Sequence, residues 1–176
     1  MPELAFISLG SNIEPEKNLI FGTKRLGELG RLIAVSTVYQ NPAVGPTPQP
    51  DFLNAAALID TDHPAETLRL HLRDIEADSG RVRTGDKYAP RTLDLDLCLL
   101  GTQITECPEL SLPDPELLTR AHLAVPMAEL APSFLHPITG EALQIIADRL
   151  RPGSSLKPRP EITARLQSIV LELDKN

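Results

Sequence analysis

From Leu93 to Leu100 the leucines alternate with Asp94, Asp96 and Cys98, the period of two that marks a strand with unlike faces. Both aspartates then point the same way, with Cα atoms roughly 6.5–7 Å apart along the strand. Upstream, Leu4–Leu9 is a nearly continuous apolar run ending in Gly10-Ser11-Asn12, the pattern of a central strand leaving through a turn. A helix follows from Pro15, with Leu19, Thr23 and Leu26 on one face. The β-branched stretch Leu32–Tyr39 predicts a second strand and Phe52–Ile59 a third. Thr61-Asp62 and Pro64 open a helix that buries Ala65, Leu68, Leu72 and Ile75 and stops at Ser79-Gly80.

Past the aspartate strand, Gln103–Cys107 reads as a short edge partner, and Pro113 and Pro115 break the next stretch into a loop and a short helix. Further helices are predicted over Val125–Leu130 and Glu141–Leu150. Pro152, Pro158 and Pro160 make residues 151–160 a linker between a domain at 1–150 and a tail at 161–176. In that tail Ile162, Leu166, Ile169, Val170 and Leu173 follow helical spacing, an amphipathic helix to be docked on the domain or on a partner.

Composition narrows the class. At 176 residues the chain can bury roughly two thirds of the surface its unfolded form exposes. Cys98 and Cys107 form neither a disulfide framework nor a zinc motif, which suits a reducing cytoplasm. No run approaches the roughly 20 apolar residues that span a bilayer, so no membrane role is expected. A net charge of −7, with two Tyr, four Phe and no Trp, disfavours nucleic acid as a partner. Segment 81–91 nevertheless holds four cations and one anion. That local excess suits a small, highly charged phosphate ligand.

Two like charges as close as Asp94 and Asp96 are unfavourable unless something positive lies between them. The candidates are a divalent metal or Arg81, Arg83, Lys87 and Arg91, and structural ion pairs are the plain alternative to a site. Hard carboxylate oxygens suit Mg²⁺, which bridges one or two carboxylates to substrate phosphates. Glycine-rich nucleotide signatures are absent, so side chains would have to hold the phosphates. Asn41–Asp51, with Pro42, Pro46, Pro48 and Pro50, is an irregular loop, either a surface connection or a ligand-facing element.

Arg81-Val-Arg83 and Tyr88-Ala-Pro-Arg-Thr-Leu-Asp-Leu-Asp96, with Leu9-Gly-Ser-Asn12 and Phe52-Leu-Asn54-Ala upstream, closely resemble the 6-hydroxymethyl-7,8-dihydropterin pyrophosphokinases of folate biosynthesis. The resemblance covers residues 4–150. It implies an α+β, ferredoxin-like fold with a mainly antiparallel central sheet and helices on both faces. It also implies transfer of pyrophosphate from ATP to the pterin hydroxymethyl, with AMP as the other product, using two Mg²⁺ ions; a monomer is expected. Carried across, Asp94 and Asp96 are metal ligands, and Arg83 and Arg91 join them as the catalytic set and close over the ATP phosphates, with Arg81 on the same mobile loop. Glu76, Tyr88, Leu97, Ser111 and Arg120 match positions near the nucleotide. Asn54 would read the pterin edge, Phe52 would stack on its ring, and Asn41, Pro42, Val44 and His122 would line its pocket. The chain departs from the family's pattern at Asp114, where a His is common, at His122, where a Phe is usual, and at Tyr88, where a Trp is common. The alternative is a catalytically degenerate pterin- or nucleotide-binding protein.

Overall fold

The computed structural model describes residues Met1–Asn176. Its first half runs β1 (Glu3–Ser11), α1 (Pro15–Leu26), β2 (Arg31–Val35), β3 (Tyr39–Asn41), β4 (Phe52–Thr61), α2 (Ala65–Asp78) and β5 (Asp94–Leu100). The second half adds the hairpin β6 (Thr105–Cys107) and β7 (Leu110–Leu112), a 3-10 turn at Pro115–Leu118, α3 (Ala121–Leu130) and α4 (Leu143–Leu150). It closes with β8 (Lys157–Pro158) and α5 (Pro160–Leu173).

The main sheet has the order β5-β1-β4-β3-β8, and β2 also pairs with β4. Every pairing in it is antiparallel. Because β1 lies between β4 and β5, and β4 lies between β1 and β2, the two βαβ units interlock as in a ferredoxin-like α+β sheet. The sheet is covered on both faces. Alternation along β1, β4 and β5 sends Ile7, Leu9, Ala55, Ala57, Leu95 and Leu97 into a core shared with α1, α2 and α5. It sends Phe6, Ala56, Leu58 and Cys98 into a second core under α3 and α4.

Three features differ from the sequence expectation. The predicted strand Leu32–Tyr39 is two strands, because its middle turns away from the sheet. Ser36 stays on β4, its N–H donating to the Ala56 carbonyl and its Oγ accepting from the Ala56 N–H. The Thr37 N–H instead donates to Glu129 Oε2, and the Val38 N–H to Thr163 Oγ1 at 2.8 Å. The Gln103–Cys107 stretch does not extend the main sheet but forms β6, paired with β7 in a separate hairpin. Helix α3 starts four residues earlier than predicted and carries Pro126 inside it, which removes the N–H that would bond the His122 carbonyl.

The C-terminal segment is built into the same body. The β8 residues Lys157 and Pro158 pair with β3, and Ile162, Leu166 and Ile169 of α5 lie in the first core. At about 25 cal/mol per Å² of apolar surface, three such side chains contribute several kcal/mol of burial free energy.

Candidate active site

Helices α3 and α4 cover only part of the second sheet face. At the uncovered end the inward positions of three adjacent strands are polar or small: Gly10 on β1, Asn54 on β4, and Asp94 and Asp96 on β5. Register sets them side by side, since Gly10 pairs with both Asn54 and Asp94, and Ser8 with Asp96. A Cβ at position 10 would meet Asn54 Oδ1 at 2.7 Å, so glycine there lets the Asn54 amide lie across β1. That amide donates from Nδ2 to Asn41 Oδ1.

Loops wall in this end. A cavity of about 370 Å³ is lined by Asn41, Pro42, Val44, Phe52 and Asn54 on one side and by Tyr88, Arg91, Asp94, Arg120 and His122 on the other. Lys87, Ala89 and Glu116 complete its rim. A second cavity, about 250 Å³, contains Asp96, Leu97, Leu110, Ser111 and Asp114 together with Arg69 and Arg73. Asp94 lines the first cavity and Asp96 the second, so strand β5 carries one carboxylate to each.

The two carboxylates have different surroundings. Asp94 accepts from Arg81 Nη1 at 2.8 Å and from Arg91 Nη1 at 2.6 Å. Burial pushes the Asp94 carboxyl up, but the Arg91 and Arg81 guanidiniums outweigh it and hold the group below its ordinary range. No cation of the chain pairs with Asp96. Burial, reinforced by the charge of Asp94, pushes the Asp96 carboxyl up to about 7. Of the partners open to the two aspartates, the arginines take only one: Asp94 is the partner of Arg81 and Arg91, and no side-chain cation forms an ion pair with Asp96.

Hard-oxygen donors for a cation are Asp94 and Asp96, and no group of three or more His, Cys, Asp and Glu side chains converges to form a closed metal cage. Two carboxylates beside open cavities suit Mg²⁺, an ion that fills most of its shell with water and phosphate oxygens. The unpartnered Asp96 oxygens are the groups such an ion would neutralise.

The family model described as 7,8-dihydro-6-hydroxymethylpterin-pyrophosphokinase matches residues 6–132. The chain belongs to this pyrophosphokinase family. It is 38% identical over 141 residues to a 2-amino-4-hydroxy-6-hydroxymethyldihydropteridine pyrophosphokinase of Pseudomonas aeruginosa, covering 78% of this chain and 86% of that one. A protein with the same description from Synechocystis is 33% identical over 171 residues, covering 88% of this chain and 86% of the relative. Among solved structures, wild-type Plasmodium falciparum HPPK-DHPS is similar in fold, with a TM-score of 0.64 at 11% identity over 85% of this chain. The chain spans 43% of that longer protein.

Within the pyrophosphokinase frame, the residues expected around the pterin (Asn41, Pro42, Val44, Phe52, Asn54 and His122) all line the larger cavity. Burial lowers the His122 pKa, which favours a neutral ring. Of those expected near the nucleotide, Leu97 and Ser111 line the smaller cavity, while Tyr88 and Arg120 line the larger one. Arg81 and Arg83 border a third recess, about 240 Å³, enclosed by the 81–91 loop and also lined by Arg91. Glu76 lines neither of the first two cavities, and its carboxylate is occupied by arginines. Asp114, at a family histidine position, caps the 3-10 turn by accepting from the Glu116 N–H at 2.9 Å.

Asn12 belongs to the site, and residue-type reasoning gave it no role. It is 3% exposed and bonded on every side. Its Oδ1 accepts from the Arg91 N–H at 2.8 Å, and its Nδ2 donates to Gln49 Oε1 at 3.0 Å and to the Pro50 carbonyl at 3.2 Å. Gln49 Nε2 in turn donates to the Tyr88 carbonyl. One buried amide thus ties the 42–51 and 81–91 loops to the end of β1. The signal in sequence was an Asn directly after a central strand, which reads equally well as an ordinary turn residue.

Proposed function

We propose that this chain transfers pyrophosphate from ATP to 6-hydroxymethyl-7,8-dihydropterin in folate biosynthesis, giving the pterin diphosphate and AMP. The observation that carries the reading is the position of Asp94 and Asp96 at the seam between two cavities, one edged by amides and rings, the other opening beside arginines. In this reading the pterin lies between Phe52 and His122, with Asn54 and Asn41 on its polar edge. ATP lies along Leu97, Ser111 and Arg120, with its phosphates toward Arg83 and Arg91. Asp94 and Asp96 would hold Mg²⁺, two ions in all with substrate oxygens as their other ligands, and the metal would stabilise charge on the phosphates.

The side chains mainly align the reactants. The pterin hydroxymethyl oxygen bonds to the β-phosphorus, the bond from that phosphorus to the oxygen bridging the α-phosphate breaks, and AMP leaves with that oxygen. The hydroxyl proton passes to solvent. Arg91, fixed to Asp94 and to the Lys87 carbonyl at 2.7 Å, keeps a cation at the seam where both substrates meet.

The test is AMP formation by the purified chain. AMP is expected from ATP only when the hydroxymethylpterin and Mg²⁺ are both present, and excess chelator should reduce it to background. Saturating substrates without AMP would overturn the enzymatic reading, and calorimetric binding of both ligands in that case would identify a degenerate binder. Gly10→Ala is a finer probe. Its new methyl displaces the Asn54 amide from Asn41, so KM for the pterin should rise about tenfold, the loss expected for one misplaced pair of hydrogen bonds. KM for ATP should stay within about twofold. Equal rises for both substrates would remove Asn54 from pterin recognition.

A further inference from the structure

Glu76 stands near the end of α2 with 1% of its side chain exposed, and it faces three guanidiniums. Oε2 accepts from Arg81 Nη1 and from the Leu95 N–H at 3.2 Å. Oε1 accepts from both Arg73 Nη1 and Arg83 Nη2, each at 2.7 Å. These bonds divide the arginines into two kinds. Arg81 is 10% exposed, and its Nη1 also reaches Asp94 Oδ1 and the Leu93 carbonyl, so it is a fixed strut between α2 and β5. Arg83 is 51% exposed and its guanidinium has Glu76 as its one partner.

We propose that Glu76 is a positioning residue that parks Arg83 on an oxygen shared with Arg73 and releases it to a phosphate of the nucleotide, while Arg81 stays locked. This rests on the pyrophosphokinase reading above. The shared oxygen is what makes release easy. A buried carboxylate oxygen stripped of its last donor carries the full cost of an unsatisfied charge. When Arg83 leaves, Oε1 keeps Arg73, and Oε2 keeps Arg81 and the Leu95 amide, so no buried group is orphaned. The balance of charge points the same way. Arg73, Arg81, Arg83 and Arg91 face Glu76, Asp94 and Asp96, an excess of one positive charge that an incoming polyphosphate matches. Arg69, which shares a surface recess with Arg73, Glu76, Arg81 and Arg83, is held by Glu66 at 2.8 Å.

The experiment is limited trypsin digestion of the full chain, with cleavage at the Arg83–Thr84 bond followed by mass spectrometry in the absence of nucleotide. Glu76→Gln removes the parking charge, and cleavage there should be about threefold faster, the scale of a half-exposed ion pair. Arg73→Gln acts in the opposite sense. It leaves Arg83 as the last donor on Oε1, so cleavage should slow about threefold, and this partly exposed substitution avoids the folding hazard of changing Glu76. Both changes should be confined to Arg83–Thr84. Cleavage after Arg83 that is unchanged in either variant, or that rises equally after Arg81, Lys87 and Arg91, overturns the proposal. ATP with Mg²⁺ should protect the bond in the unmodified protein. If ATP gives no protection and no AMP forms, the pyrophosphokinase reading fails, while the opposed ligand-free rates still decide the parking of Arg83.

Discussion

Asp96→Asn should abolish AMP formation and at the same time raise the thermal midpoint of the ligand-free protein. The rate is expected to fall about a thousandfold, the scale lost with a group that fixes charge stabilisation on a phosphoryl centre. The gain in stability comes from the surroundings of Asp96. Its carboxylate is half-buried next to Asp94, no side-chain cation forms an ion pair with it, and burial together with the Asp94 charge pushes its pKa up to about 7. An amide of the same shape removes that like-charge repulsion and should add about 1 kcal/mol, or about 2–4 °C in Tm for a chain of this length. Differential scanning calorimetry in chelator and a coupled AMP assay read the two effects on one preparation. A variant with more than a tenth of the normal rate would remove Asp96 from the catalytic set, and an unchanged or lower midpoint would mean that Asp96 is not an uncompensated charge.

Such a residue is poorly explained by the fold alone. Three neighbouring strands carry apolar side chains on this face where α3 and α4 cover it, then Gly10, Asn54, Asp94 and Asp96 where they do not. The break in the apolar pattern marks the edge of the helical cover. Local sequence made this legible on β5, because leucines at Leu93, Leu95 and Leu97 place the intervening aspartates on one face whatever the rest of the chain does. Short, nearly continuous apolar runs located β1 and β4, and the 3.6-residue spacing of Ile162, Leu166 and Ile169 located α5. Which loops would close on that face was readable only through resemblance to the pyrophosphokinase family, which named Asn41, Pro42, Val44 and His122 together.

The features that stayed hidden depend on partners distant in sequence. The interruption at Thr37 and Val38 is made by Glu129 and by Thr163, 125 residues away from Val38, and nothing in Leu32–Tyr39 itself signals it. Asn12 acquires its role from Gln49 and Pro50 on one loop and Arg91 on another. The three arginines on Glu76 come from two different elements, and their sharing of Oε1 is a matter of packing at the end of α2. Side-chain chemistry identified Arg81 and Arg83 as cations for phosphate but did not separate them, whereas burial does: Arg81 is a strut and Arg83 is exposed.

Asp94→Asn, two residues from Asp96 on the same strand face, should give the opposite stability result. Asp94 is the acceptor that joins Arg81 to Arg91, and through Arg81 it joins β5 to Glu76 on α2. Its neutral amide leaves Arg91 with the Lys87 carbonyl and Arg81 with Glu76 and the Leu93 carbonyl, so two guanidiniums lose a charged partner in a partly desolvated place. Breaking buried pairs of this kind costs about 3 kcal/mol, and partial exposure of Asp94 and Arg91 lowers the expectation to about 2 kcal/mol. Urea unfolding should therefore show a lower midpoint with an unchanged slope. AMP formation should fall at least as far as in Asp96→Asn, because Asp94→Asn removes a carboxylate proposed to hold the metal and also loosens Arg91. If the two substitutions shift the urea midpoint in the same direction, the division of labour between a paired Asp94 and an unpartnered Asp96 is wrong. Opposite shifts with equal loss of activity would mean that β5 presents two chemically identical side chains, one holding the arginines in place and the other kept without a partner for the cation.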